Sequence, residues 1–277
     1  MFIRCLGARG GLPVSGCEFL KYGGDTTCIE ITADSGDLVI VDAGSGIRSL
    51  NGSAANASTI NLLFTHAHLD HILGFPFFTP LYNEEKIVNI FGYPTSIGPF
   101  KTVLENVMRD PLFPERFSSL SAKMSFIDIE LKPFTIGSIK ISPVHLNHPN
   151  GGVGYRFEES GKSFVFITDN ELGFNHPCGE GFSSYVDFCR GADLLFHDAE
   201  FNEKEYERFK GWGHSLYSDT VKLAVESKVS RLGLFHINAR RTDEEMDLFT
   251  NKAKELIHQL DPSICCFAVG AGFEIKL

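Results

Sequence analysis

The chain opens with short apolar runs, some alternating with polar positions and some unbroken. Phe2 to Leu6, Thr27 to Ala33, Leu38 to Val41 and Ile60 to Phe64 each lie between Gly, Asp, Asn or Ser turn residues, which predicts neighbouring strands of one sheet. A helix is expected from Ser96 to Met108, followed by connections rich in proline and phenylalanine (Pro111, Phe113, Pro114, Phe117). Strands return at Ser125 to Ile129, Ile139 to Val144, Gly154 to Phe157 and Phe164 to Ile167. The last third alternates: strand at Asp193 to His197, helix at Ser215 to Ser227, strand at Arg231 to Phe235. Thr242 with Glu245 three residues on reads as a capping box. Met246, Phe249, Ala253, Leu256, Ile257 and Leu260 then share one helical face, before strands at Ser263 to Ala268 and Phe273 to Lys276. This succession predicts two sheets covered by helices, an α/β (α+β) architecture in a single domain over 1–277.

Composition changes this picture little. With 43% apolar and 22% charged residues in 277, the chain is ordinary globular material, long enough for a large core. No apolar run reaches the roughly 18 residues that cross a bilayer, and Met1-Phe2-Ile3-Arg4-Cys5 lacks the basic start of an export signal. A soluble, cytoplasmic protein without membrane attachment is expected. Seven scattered cysteines with no C-x-x-C pair predict reduced thiols rather than a disulfide framework or a zinc ribbon. The net charge of −10 argues against a broad nucleic-acid surface, which needs many lysine and arginine contacts to phosphates. A compact anionic substrate stays open, because bound metal ions supply local positive charge whatever the overall sign.

The candidate chemistry lies in Thr65-His66-Ala67-His68-Leu69-Asp70-His71. A strand ending near Phe64 delivers His66 and His68 at i and i+2, on one side of an extended backbone. If the chain then turns into a helix near Leu69, Asp70 and His71 point across the same cleft toward a second ion, with nitrogen and oxygen donors suited to zinc. Three histidines and a carboxylate packed this closely would repel on protonation and lose solvation, and bound metal resolves both problems.

The run THAHLDH resembles the H-x-H-x-D-H signature of the metallo-β-lactamase superfamily of hydrolases, whose fold is a four-layer αββα sandwich. The likeness extends over nearly the whole chain through Val41-Asp42-Ala43-Gly44, His148, Asp169 and His236, in the family's order. It implies one metal held by His66, His68 and His148, a second held by Asp70, His71 and His236, and Asp169 between them. The implied ions are two divalent cations, zinc by preference, with manganese or iron compatible. His145 competes with His148, but the Pro149-Asn150-Gly151-Gly152 loop and Gly154-Tyr155 that follow favour His148.

Members of the superfamily differ in what surrounds the metals. His71 together with His236 in Leu234-Phe235-His236-Ile237-Asn238-Ala239-Arg240-Arg241 resembles the phosphodiesterase branch that includes ribonuclease Z, rather than lactam-cleaving members. In that branch His197-Asp198-Ala199-Glu200 and Gly213-His214-Ser215 resemble motifs that place an acidic residue behind a histidine beside the metals. His214 is thereby implied as a proton donor with Glu200, or Asp198, as its partner. Only 21 positions separate His148 from Asp169, which leaves no room for the long arm with which ribonuclease Z grips transfer RNA. Gly7-Ala8-Arg9-Gly10-Gly11-Leu12-Pro13, Tyr22-Gly23-Gly24-Asp25-Thr26-Thr27 and Gly211-Trp212-Gly213 are instead similar to bacterial metal-dependent hydrolases loosely related to class II cyclic-nucleotide phosphodiesterases.

The expected reaction is hydrolysis of a phosphodiester, a small or cyclic nucleotide, by water acidified at the metal pair, with Asp70 orienting or deprotonating that water. A carboxylic ester, thioester or lactone hydrolase is the alternative, and a metal-binding subunit without activity is a third reading. Arg9, Arg48, Arg156, Arg240 and Arg241 lie near the motifs and are candidates for phosphate contact, with surface solvation as the plainer role. Phe75, Phe77, Phe78, Phe113 and Phe117 are candidates for a stacking wall, with core packing as theirs. Extended nucleic acid is not an expected partner, and a homodimer is compatible with the resemblance.

Overall fold

The computed structural model describes residues 1–50 and 53–277. Why the strands form two stacked sheets can be seen in Leu38–Val41, where all four side chains are buried. Leu38 and Ile40 belong to one apolar cluster, Val39 and Val41 to another. Because successive side chains of a strand point to opposite faces, an unbroken apolar run requires cover on both sides.

The first sheet runs in the order Glu274–Lys276, Phe2–Gly7, Cys28–Thr32, Leu38–Val41, Thr59–Leu63, Ile87–Gly92, Lys123–Asp128. The second runs Cys265–Ala268, Arg231–Phe235, Leu194–Asp198, Lys162–Ile167, Val153–Glu159, Ile139–His145, Phe134–Ile136. Between them Ile3, Ile31, Val39 and Leu63 meet Tyr155, Phe157, Phe164, Phe166 and Phe196 in one buried layer. Phe100, Val103 and Leu104 of the helix Phe100–Val107 cover Ile40, Leu62 and Ile90 on the outside of the first sheet. Helices Phe182–Cys189, Tyr217–Ser227 and Asp243–Leu260 cover Val165, Leu195, Leu232 and Leu234 on the outside of the second. The result is the expected αββα sandwich.

Parallel pairing is what turns this scaffold into a site. Leu38–Val41, Thr59–Leu63, Ile87–Gly92 and Lys123–Asp128 run parallel, and so do Lys162–Ile167, Leu194–Asp198, Arg231–Phe235 and Cys265–Ala268. Parallel neighbours end at the same edge, where ligand sites of α/β sheets gather. Asp42 and Thr65 follow such ends in the first sheet, and Asp169, Asp198 and His236 lie at or just beyond them in the second. Asp42, Asp169 and His236 all have positive φ (62°, 49° and 59°), so each strand turns sharply where it delivers its side chain. Left-handed backbone costs an L-residue about 1–2 kcal/mol, which the surrounding fold has to offset.

Most strand positions match the hydrophobic pattern, and several elements differ. The helix expected from Ser96 starts at Phe100, since Thr95 and Gly98 close a turn and Pro99 keeps the preceding residue out of helical geometry. Ile87–Gly92 is a strand, though its apolar run follows the charged Glu84-Glu85-Lys86. Phe182–Cys189 is a helix burying Tyr185, Val186 and Cys189. Glu203–Phe209 is a helix with no buried residue, started by an Asn202/Glu205 capping box of the same kind as Thr242/Glu245. All seven cysteines are free. Among the described residues no helix is long and apolar enough to cross a membrane.

Candidate metal centre

The strand Thr59–Leu63 ends just before Thr65, and the chain stays extended through His68 before the single helical turn Leu69–Ile72. His66 and His68 leave from the extended part, Asp70 and His71 from the turn. Two donor sets result, His66, His68, His148 and Asp169 in one, Asp70, His71, Asp169 and His236 in the other. Within each set one ligand atom per residue lies within 4.8 Å of all the others. His148 Nε2 stands 3.0 Å from His68 Nδ1 and 3.9 Å from Asp169 Oδ2, which is 3.7 Å from His66 Nε2. In the second set His71 Nε2 is 3.2 Å from Asp169 Oδ1 and 3.4 Å from Asp70 Oδ2, while His236 Nε2 is 3.4 Å from Asp70 Oδ2 and 3.3 Å from Asp169 Oδ2. Donors ~2.1 Å from a tetrahedral zinc lie ~3.4 Å apart, so these spacings fit a shared ion better than hydrogen bonds.

The chain also presets which ring nitrogens face inward. His71 Nδ1 pairs with Asp42 Oδ2 at 2.8 Å, His148 Nδ1 with the Gly213 carbonyl at 2.9 Å, and His236 Nδ1 with Glu200 Oε2 at 3.0 Å. Thr65 Oγ1, which donates to Asp42 Oδ2 at 2.8 Å, lies 3.1 Å from His66 Nδ1. With Nδ1 of each ring engaged in this way, Nε2 is the atom left to face a metal. The buried Nε2 atoms of His66 and His71 have no hydrogen-bond partner, as ligands aimed at an ion would. Backbone packs tightly around these rings. A Cβ on Gly10 would come within 2.2 Å of the His236 ring, and one on Gly213, at φ 95°, within 1.9 Å of His148 Nδ1. Gly11 N donates to Asp70 Oδ2 at 2.7 Å, so the glycine-rich N-terminal loop closes one side of the centre.

The two sets differ in charge. Burial pushes His66 well below the usual imidazole pKa, with His71 reinforcing it, and burial takes His148 down to about 3 and lowers His68. Burial also opposes charge on His71, but Asp169, Asp70 and Asp42 outweigh it and raise its pKa well above the ordinary value. His236 rises in the same way against burial, through Asp169, Asp70 and Glu200. Burial raises the Asp70 and Asp169 carboxyls, yet the neighbouring histidines hold both well below the usual range.

His214 sits at the edge of both sets, stacked on His236 at 4.6 Å between ring centres and 3.9 Å from Asp169 Oδ2. Its Nδ1 is 2.7 Å from Asp198 Oδ2 and 3.4 Å from Glu200 Oε2. Of the two carboxylates left open by the sequence, Asp198 makes the hydrogen bond and Glu200 stands farther off. Glu200 serves His236 and accepts from Asn238 Nδ2 at 2.8 Å. Burial lowers the His214 pKa, but Glu200 and Asp198 together bring it up to about 9. His145 ends its strand against Tyr93 and stays outside the donor sets.

Sequence reading missed Glu171, which is fully buried. Its carboxylate accepts from Gly211 N at 2.7 Å, Gly213 N at 2.8 Å and the Tyr206 hydroxyl at 3.0 Å, and meets His176 Nε2 at 2.9 Å. It thus anchors the loop that brings Trp212, Gly213 and His214 to the site. Its signal was only its place two residues after Asp169.

Beside the donor sets opens a cavity of about 910 Å³, reached by His68, Asp70, His148, Asp169, His214 and His236. Of the five candidate arginines, Arg240 and Arg241 line it, joined by Arg208, which the sequence did not single out. Arg9 is buried and bonds the carbonyls of Gly23 and Arg241, Arg48 pairs with Asp25, and Arg156 binds Glu158 and the Phe188 carbonyl. The candidate phenylalanines take the packing role that was their plainer reading, away from the donor sets. Phe75 and Phe78 are core residues, Phe113 and Phe117 pack against that core, and exposed Phe77 meets Phe113 edge-on. The cavity's aromatic residues are Phe201, Phe209, Trp212 and Phe249.

Residues 38–237 match the beta-lactamase superfamily domain. Over 285 aligned positions the chain is 25% identical to ribonuclease Z of Haloarcula marismortui, with 87% of each chain covered. Two solved structures are similar in fold. Zn2+-bound PqqB from Methylobacterium extorquens superposes with a TM-score of 0.72 at 14% identity, covering 100% of both chains. A diphosphatase of the PhnP family superposes with a TM-score of 0.70 at 20% identity, covering 100% of this chain and 97% of its own. With more than half of its length matched and the superfamily's sandwich around the paired donor sets, the chain belongs to the beta-lactamase superfamily.

Proposed function

We propose that this protein is a metal-dependent phosphodiester hydrolase acting on a small or cyclic nucleotide. The observation that carries the reading is one carboxylate, Asp169, shared by two donor sets that open into a single cavity beside His214. His66, His68 and His148 would hold one ion, Asp70, His71 and His236 the other, with Asp169 common to both. The nitrogen-rich donors favour Zn2+, and PqqB, a structural neighbour, is Zn2+-bound. Ribonuclease Z and diphosphatase, the names of the other two similar proteins, support chemistry at phosphorus. When bound, the cations would supply Lewis acidity and make a water more acidic.

The chain's own residues do the rest. Asp70, fixed by Gly11 N, orients the attacking water and takes its proton. As the water oxygen bonds to phosphorus, the bond to the leaving oxygen breaks with its electron pair, and His214, held by Asp198, gives that oxygen a proton. Glu200 and Asp42 keep the His236 and His71 rings turned inward throughout. A charge of −10 supports a compact substrate over extended nucleic acid. The test is elemental analysis of protein purified without added metal, together with hydrolysis of bis-(p-nitrophenyl) phosphate before and after chelation. About two ions per chain and chelator-sensitive turnover are expected. Turnover that survives full metal removal would end the proposal.

A further inference from the structure

The cavity beside the metals is not evenly lined. From His214 a run of rings leads outward: Phe201 lies 5.8 Å from His214, Phe209 5.4 Å from Phe201, and Trp212 5.2 Å from Phe209, centre to centre. The Phe201 and Phe209 rings are stacked, 20° apart, and Trp212 stands edge-on to Phe209 at the mouth, 64% exposed. An exposed tryptophan held beside a catalytic cleft is poorly explained by packing, since most large apolar groups gain by burial.

The same cavity wall carries Arg208, Arg240 and Lys252. Arg208 sits 5.6 Å from the centre of the Phe209 ring. Among the described residues none of the three forms an ion pair with a carboxylate, whereas Arg241 beside them is tied to Glu205 and to the Glu200 carbonyl. In a chain of net charge −10, Arg208 beside the aromatic run and two further cations lining the same cavity, none of them ion-paired, describe a surface for a flat, anionic group. At about 910 Å³ the space falls within the ~300–1,000 Å³ of small-molecule sites.

We propose that this wall binds the leaving half of the substrate, and that the leaving half is a nucleotide. Its base lies against Phe209 and Trp212, backed by buried Phe201, and its own phosphate faces Arg208, Arg240 and Lys252. The placement follows from His214: the oxygen it protonates starts at the inner end of the aromatic run, so whatever that oxygen carries extends along the rings. This deepens the phosphodiester reading above and rests on it for the direction of the substrate. It favours a linear diester, from which a nucleotide departs, over a cyclic one.

Trp212 is the only tryptophan in the chain, so its emission reports on this wall alone. Full-length protein as purified is titrated with adenosine 5′-monophosphate, adenosine and ribose 5-phosphate while that emission is followed. The nucleotide should give a saturable change at concentrations at least about tenfold below either fragment. Phe209→Ala should weaken nucleotide binding about 5- to 150-fold, the effect of losing one base–aromatic stack. Replacing exposed Arg208 and Arg240 by serine together should reduce the nucleotide to the affinity of adenosine. Ribose 5-phosphate binding as well as the nucleotide would overturn the stacking platform, and adenosine binding as well would overturn the anion subsite. No response to any of the three overturns the whole proposal. Hydrolysis of bis-(p-nitrophenyl) phosphate by the same sample separates the two readings: inactive protein that binds the nucleotide sinks the phosphodiesterase, and active protein that ignores it sinks this subsite.

Discussion

The two donor sets of the candidate metal centre use the same side chains in opposite electrostatic settings. His66, His68 and His148 are held as neutral rings by burial, and the ring-nitrogen partners of His66 and His148 are uncharged, the Thr65 hydroxyl and the Gly213 carbonyl. His71 and His236 lean on carboxylates, Asp42 and Glu200, and share their cleft with Asp70 and Asp169, so without metal they carry protons at neutral pH. The first half is a preformed set of nitrogen lone pairs. In the second, protons stand in for the cation. One site is therefore prepared by desolvation, the other by balancing charge, and only Asp169 belongs to both.

The strongest way to break this contrast is Asp169→Ala, which removes the shared carboxylate. Metal content should fall from about two ions per chain to below one, with turnover of bis-(p-nitrophenyl) phosphate down by at least about a thousandfold. Two retained ions would show that the halves are independent. Next come the residues that face the cavity. His214→Ala should lower kcat by about 10²- to 10⁴-fold with both ions still bound, because His214 is hydrogen-bonded to Asp198 and moves a proton rather than holding metal. Asp70→Ala should lower both kcat and metal content, and a variant with full metal would place Asp70 outside the second site.

Asp42→Asn tests the second half from behind. It removes the charge that faces His71 Nδ1, and affinity for one of the two ions should weaken by about 10- to 100-fold while the other changes little, as metal titration would show. Equal weakening of both would erase the distinction between the halves. The smallest effect is the proton count. Since His71 and His236 have raised pKa values without metal, an ion entering their site at pH 7 displaces protons, whereas an ion entering among His66, His68 and His148 displaces none from the rings. Calorimetry in buffers of different ionisation heat should therefore show one binding event that releases protons and one that does not. Affinity of the releasing site should rise with pH across the neutral range.

The run from His66 to His71 was legible because strand and helix periodicity alone put its side chains on one side, and a dense cluster of ligand types has few other uses. The strand cores were legible for a similar reason. The apolar runs of Leu38–Val41 and Phe164 to Ile167 reflect burial on both faces, a property written locally. Elements whose stability comes from elsewhere were not. The helix Glu203–Phe209 buries none of its residues, and its capping box is the only local trace of it.

What the sequence determined by itself was therefore two helix-covered sheets and the dense cluster of ligand-type side chains from His66 to His71, with the later candidate donors implied by the resemblance. Tertiary structure alone decided how the supporting groups were shared out: Asp198 to His214, Glu200 to His236, Asp42 to His71, and Glu171 to the loop carrying Trp212. It also chose the aromatic residues that line the cavity, sending Phe75 and Phe78 into the core and Phe209 and Trp212 to its wall. The physical reason is range. Periodicity and cluster density depend on neighbours within a few residues, whereas a carboxylate's partner is settled by distances of ~3 Å between strand ends far apart in the chain, where a small shift exchanges one acceptor for another.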